Sequence, residues 1–333
     1  MTLKQWLIKK IRAAVGTQEI INVMKEQAAY VVSFLGESQE TKPRTVASGL
    51  HLLPGNPYQK FLLPLEYLPS RDYRPRWGYS RPPHPVLSGL FAKNQAAYVK
   101  IIDEIRSLEP FLLGINSEFS HERAPEPGWL GGPINALDLA LLYYFVYKYR
   151  PGTYLEIGSG LTTCFARRAI RDHELKTRVI SIDPEPRTNI HGICDEVIQE
   201  GLETVGNLKH FESLRSGDIV FVDGSHRSFM NSDVTVFMVD VLPFLKPGVV
   251  VHFHDIFLPY DYPDLFKNWY WNEQYLLAVY LLAGRERIQV LMPSFFLSVT
   301  PDLRECLRPP ILRLGREEDS WLNGGSLWFT HTE

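Results

Sequence analysis

The chain has 333 residues, 45% hydrophobic and 22% charged, with a formal net charge of −3. That composition suits a globular protein, and without a basic excess it argues against nucleic acid as the main partner. No apolar run reaches the roughly 18 residues of a membrane span. The start of the chain lacks the apolar core and cleavage site of a signal peptide. Three scattered cysteines, Cys164, Cys194 and Cys306, fit reduced thiols in a cytoplasmic protein.

Residues 1–35 read as two helices, the second over Gln18–Leu35. In the first, Leu3, Trp6, Leu7, Ile11 and Val15 recur at helical spacing between Lys4, Lys9, Lys10 and Arg12. Such a face packs on its own protein or on a second subunit more often than on a membrane. Prolines then crowd residues 36–85 among tyrosines and Trp77. They exclude long helices, while the aromatics offer surface to bury, so an ordered irregular layer is expected. This layer, with the helices before it, is a candidate contact between subunits. A helix is expected over Leu90–Leu108, a loop at Pro125–Gly128, and a strongly apolar helix over Ile134–Tyr149. Residues 1–130 form a cap or oligomerisation region in this reading, and 131–333 a second domain.

From residue 152 strand and helix alternate. Strands are expected near 153–157, 178–182, 195–199, 218–223 and 248–254. Helices fall near 161–171, 185–191, 201–213, 228–243 and 271–283, and late strands near 287–298 and 325–330 bring the strand count to seven. Short apolar strands separated by helices imply an α/β fold: a mostly parallel sheet covered on both faces.

Chemistry concentrates where the strands end. Tyr154-Leu155-Glu156-Ile157-Gly158-Ser159-Gly160 is a buried strand, an acid and a glycine turn with a helix opening behind it. Glycines there let a ligand approach the backbone at a helix N-terminus. Val179-Ile180-Ser181-Ile182-Asp183 ends in a second acid, which can accept hydrogen bonds from a ribose diol. Dinucleotide enzymes carry a third glycine where this chain has Thr163. The pair of acids therefore favours a cationic adenosyl ligand over a pyrophosphate. The next strand delivers Asp223-Gly224-Ser225-His226, and the fifth ends in His252-Phe253-His254-Asp255. His226 is placed for general-base work near neutral pH. Asp223 and Asp255 can hold a divalent cation or orient a hydroxyl. His252 reads as a buried core histidine rather than a ligand.

As a set, these segments resemble the class I S-adenosylmethionine-dependent methyltransferases, over roughly residues 130–333. The branch with His254-Asp255 and Asp223-Gly224-Ser225-His226 is similar to macrolide sugar O-methyltransferases, and more distantly to catechol-type enzymes. The resemblance implies a Rossmann-like seven-stranded sheet. It also implies cofactor contacts from Glu156, Gly158, Ser159, Gly160, Thr162, Asp183, Glu200 and Asp223. Catalysis would fall to His226, Asp223 and Asp255, with Mg2+ held by Asp223 and Asp255. Metal-dependent relatives place a second oxygen ligand after the strand-five aspartate, where this chain has Ile256. The acceptor would be a small hydroxylated molecule such as a sugar, with Asp261, Tyr262, Trp269, Tyr270, Trp271, Asn272 and Glu273 in its pocket. A nicotinamide-dependent oxidoreductase, a cofactor-binding scaffold without catalysis, and an interaction protein centred on residues 1–130 are the competing readings.

Overall fold

The computed structural model describes residues 74–120, 125–130, 132–186, 189–206, 208–266, 269–284, 286–312, 314 and 319–332. The two N-terminal helices and most of the proline-rich layer expected from the sequence lie outside these residues.

The sheet has seven strands: β1 Thr153–Ile157, β2 Arg178–Ile182, β3 Glu196–Ile198, β4 Ile219–Val222, β5 Val250–His254, β6 Ile288–Pro293 and β7 Ser326–His331. Their spatial order is β3-β2-β1-β4-β5-β7-β6. The first five run parallel, and β7 inserts antiparallel between β5 and β6. Because β1, β2, β4 and β5 are buried on both faces, they read as continuous apolar runs rather than alternating ones. Because they run parallel, the carboxyl ends of β1, β2, β4 and β5 share one edge, and the strand order reverses beside β1, where open α/β sheets bind ligands.

The helices are α1 Pro85–Ala92, α2 Gln95–Ser107, α3 Ala136–Tyr149, α4 Leu161–Asp172, α5 Glu273–Ala283, α6 Ser294–Val299 and α7 Pro301–Leu312. Every residue of α3 from Ala136 to Val146 is buried, as a sequence apolar at all of these positions but Asp138 requires. Phe145 of α3 stacks on Trp328 of β7 at 4.3 Å. His252 lies between the Phe221 ring at 3.8 Å and Trp328 at 4.5 Å, which makes it a core residue. Its Nδ1 has no hydrogen-bond partner among the described residues, and burial holds its pKa well below the usual histidine value.

Several expected elements change. No helix forms among the described residues of 185–191, because Pro184 and Pro186 lack donors and the Glu185 N–H is taken by the Asp183 carboxylate at 2.8 Å. The 201–213 helix shrinks to one turn, Lys209–Glu212, behind Gly201 and Gly206. The 228–243 helix opens only at Asp233, capped by Ser232. It widens to a π-turn over Phe237–Val241 and closes as a 3-10 turn at Pro243. The 90–108 helix is two helices, and the 287–298 strand stops at Pro293, whose missing donor ends the ladder before α6. Helix α7, opened by Pro301, went unread in the sequence because Pro309 and Pro310 look like breakers.

A strap over residues 76–84 covers the loop that follows β5. The backbone N–H groups of Arg76 and Trp77 donate to the Asp261 carboxylate. Asp261 N donates to Trp77 O at 3.1 Å, and His84 N to Pro259 O at 2.9 Å. Gly78 has φ +81°, and a Cβ there would overlap the Tyr260 ring. No helix of the described residues is long and apolar enough to cross a membrane.

Candidate active site

The β1 turn is built by its neighbours. Gly158 has φ +78°, and a Cβ on it would collide with the Asp223 carbonyl oxygen, so only glycine lets the ends of β1 and β4 come this close. Asp183, at the end of β2, accepts from Ser159 N at 2.7 Å and Ser159 Oγ at 3.0 Å. The two strand-end acids thus stand at one turn. The space beside Gly160 is open within 4 Å of where a Cβ would lie.

Glu156 is fully buried and takes a different part from a ligand-facing carboxylate. It accepts from Thr163 Oγ1 and, at 3.2 Å, from Tyr154 OH, with Thr162 also bonded to it. Burial pushes its pKa up to about 8 against those hydrogen bonds, so the group is largely protonated at neutral pH. Thr163 also accepts from Gly160 N at 3.0 Å. The residue standing where a dinucleotide enzyme has its third glycine is therefore the bridge that ties helix α4 to the strand. Glu200 is exposed, two residues beyond β3.

On the other side of the turn, Asp223, His226 and Asp255 converge. The His226 Nε2 lies 3.4 Å from Asp223 Oδ1 and 3.4 Å from Asp255 Oδ2. One ligand atom from each of the three falls within 4.8 Å of the others. The aspartates keep 29% and 25% of their side chains exposed, while the imidazole keeps 8%, so the carboxylates face outward and the ring sits behind them. Two hard oxygens and an imidazole nitrogen at this spacing fit a divalent cation. Ile256 adds no oxygen: it is a core residue whose N–H goes to Gly325 O. His254, also buried, accepts the Asp255 N–H on Nδ1 at 2.9 Å, and its Nε2 has no partner among the described residues.

The electrostatics split the two aspartates. Burial would raise Asp223, but His254 and His226 outweigh it and hold the carboxyl well below the usual range. Burial raises Asp255, and the like charge of Asp223 adds to that. His226 is held well above the usual histidine value: burial opposes its charge, yet Asp223, Glu273 and Asp255 overcome the penalty. Backbone strain collects here too. His226 has φ +60° and Asp255 φ +55°, a region that costs non-glycine residues about 1–3 kcal/mol and clusters at functional sites.

Of the expected acceptor-pocket residues, Trp271 packs on the His226 ring at 4.2 Å and on Phe266 at 4.7 Å, with Trp269 4.9 Å away. Tyr270 is exposed. Asp261 is turned instead toward the strap and Tyr275 OH. Glu273 is fully buried and bonded to His226 Nδ1 at 2.9 Å. The sequence hides this contact because 47 positions separate the partners.

Residues 155–256 match a family described as "Methyltransferase domain". No curated protein matches the chain. Among solved structures, it is similar to an SAH-bound methyltransferase of Podospora anserina at 14% identity and TM-score 0.38, covering 73% of this chain and 96% of that one. An O-methyltransferase of Bacillus cereus in complex with SAH gives 15% identity and TM-score 0.37, covering 70% and 91%. A plantazolicin methyltransferase in complex with SAH gives 13% and 0.35, covering 70% and 100%. The segment similar to methyltransferase domains is thus the one that carries Glu156, Asp183, Asp223, His226 and Asp255 to a single sheet edge.

Proposed function

We propose that this protein is an S-adenosylmethionine-dependent methyltransferase acting on a hydroxyl of a small acceptor such as a sugar. The observation that carries the reading is the Ser159–Asp183 link, which sets the glycine turn and the ribose-type acid together beside Asp223, within the segment that matches a methyltransferase domain. When bound, the cofactor supplies a methyl already activated by its sulfonium.

The chain's own work is then alignment and proton removal. Asp223 and Asp255 orient the acceptor hydroxyl. The same two carboxylates would hold a divalent cation such as Mg2+, which would polarise that hydroxyl and leave His226 Nε2 free. His226 takes the hydroxyl proton. While two free carboxylates flank Nε2 the imidazole already holds a proton and cannot accept another, and any cation drawn to Asp223 and Asp255 competes for their charge and eases its release. Alignment can remove ~7–11 kcal/mol of a barrier, and a positioned base contributes roughly 10²–10⁴-fold.

Calorimetry with S-adenosylhomocysteine and with NAD tests the cofactor: binding of the first and not the second is expected, and the reverse would favour an oxidoreductase. A methyl-transfer screen over hydroxylated sugars tests the acceptor class. With an acceptor in hand, His226→Ala should lower turnover by roughly 10²-fold or more while S-adenosylhomocysteine affinity stays near wild type. Normal turnover in that variant removes His226 from the chemistry.

A further inference from the structure

We infer that Glu273 is the positioning residue for His226: it fixes the proton on Nδ1 and thereby turns Nε2 toward Asp223 and Asp255. The inference rests on the reading of His226 as the group that meets the acceptor.

The contact is locked from both ends. Glu273 is the first residue of α5. Its Oε2 lies 2.9 Å from His226 Nδ1, and with the carboxylate ionised, hence an acceptor only, the hydrogen of this bond belongs to Nδ1. In return, the His226 carbonyl accepts from Asn272 N at 3.0 Å and Glu273 N at 3.3 Å, two of the N–H groups that a helix start leaves without intrahelical partners. The turn and the helix are stitched again by Ser228 N on Asn272 Oδ1 at 2.7 Å and by Arg227 Nε on Trp269 O at 2.9 Å. Trp271 closes on the ring itself. Backbone and side chain of His226 are thus both held by the start of α5, which accounts for the persistence of its left-handed conformation.

Burial makes the carboxylate specific rather than incidental. The Glu273 side chain keeps 1% of its surface, and its Oε1 has no hydrogen-bond partner among the described residues. An acceptor oxygen left bare at that depth is costly. Packing alone would favour an apolar side chain there. Glu273 lies outside the matched segment 155–256, so the domain pattern does not carry it.

The test is Glu273→Gln in the full chain, which keeps the shape and loses the charge. Histidine-selective 15N labelling, with the His226 signal identified by its loss in His226→Gln, reads the ring at a pH alkaline enough for it to be neutral, where one nitrogen alone carries hydrogen. Wild type should show Nδ1 protonated. In Glu273→Gln the His226 nitrogens should shift to a mixture in which Nδ1 has lost its proton in part, and Glu273→Asp should restore some of the wild-type signal. Melting curves establish that the variants are folded, and if Glu273→Gln does not fold, Glu273→Met, which keeps the length and offers no carboxylate, is read in its place. His226 signals unmoved in folded Glu273→Gln, or in Glu273→Met where that variant is read, overturn the inference. Calorimetry with S-adenosylhomocysteine runs alongside on wild type: absence of binding there refutes the methyltransferase reading, whereas the ring signals decide the role of Glu273 independently.

Discussion

His226 combines an exposed task with a buried position, and its charge state sets a pH signature. Its pKa is raised by Asp223, Glu273 and Asp255. The sign follows: the stability it contributes is complete below the unfolded value near 6.5 and is lost as pH rises through the higher folded value. Catalysis runs opposite, because a base must first shed its proton. The acid limb of the kcat/KM profile should therefore lie above the ordinary histidine range, and a limb centred near 6.5 would contradict the three-carboxylate environment. Glu156 behaves as an acid with a raised pKa of about 8. Wild type should lose stability relative to Glu156→Gln as pH climbs from the unfolded value near 4.3 toward 8, measured by denaturant titration at several pH values.

At the level of elements, two polar ties decide whether the sheet edge holds its shape. One is Asp138, near the start of α3: it accepts from Ser294 Oγ at 2.6 Å, from Ser326 Oγ, and from Gly325 N at 2.8 Å, joining α3 to α6 and to the start of β7. Asp138→Ala strands several buried donors and should cost at least about 2 kcal/mol in urea unfolding. The other is Thr163, whose replacement by glycine would remove the Glu156–Gly160 bridge without creating a dinucleotide site. That variant should lose about 1–3 kcal/mol and gain no NAD binding by calorimetry. The strands and their acids were legible because a doubly buried parallel strand is a mostly apolar run and a charged residue marks its end, as at Asp183 and Asp223. The helices over 185–191 and 201–213 were misread because proline and glycine overrode the spacing. Glu273, Asp138 and the tied Asp261 were invisible as partners, since each acts on a residue far along the chain and local pattern carries no such information.

For the whole molecule, the order β3-β2-β1-β4-β5-β7-β6 makes the sheet depend on its last strand. Strand β7 pairs with β5 along Val250–His254 and with β6 on its other side. A chain ending before Ser326 would expose the β5 edge, and unpaired apolar edges recruit other chains. Such a truncation should be found in the insoluble fraction, and recovery of soluble, S-adenosylhomocysteine-binding protein would refute that dependence. The same arrangement imposes a schedule on synthesis. The strand that delivers Asp255 leaves the ribosome some seventy residues before the one that flanks it. During that interval the nascent sheet is half-finished on the side where its chemistry will stand, so β5 gains its flanking strand only once residues 326–331 have been made.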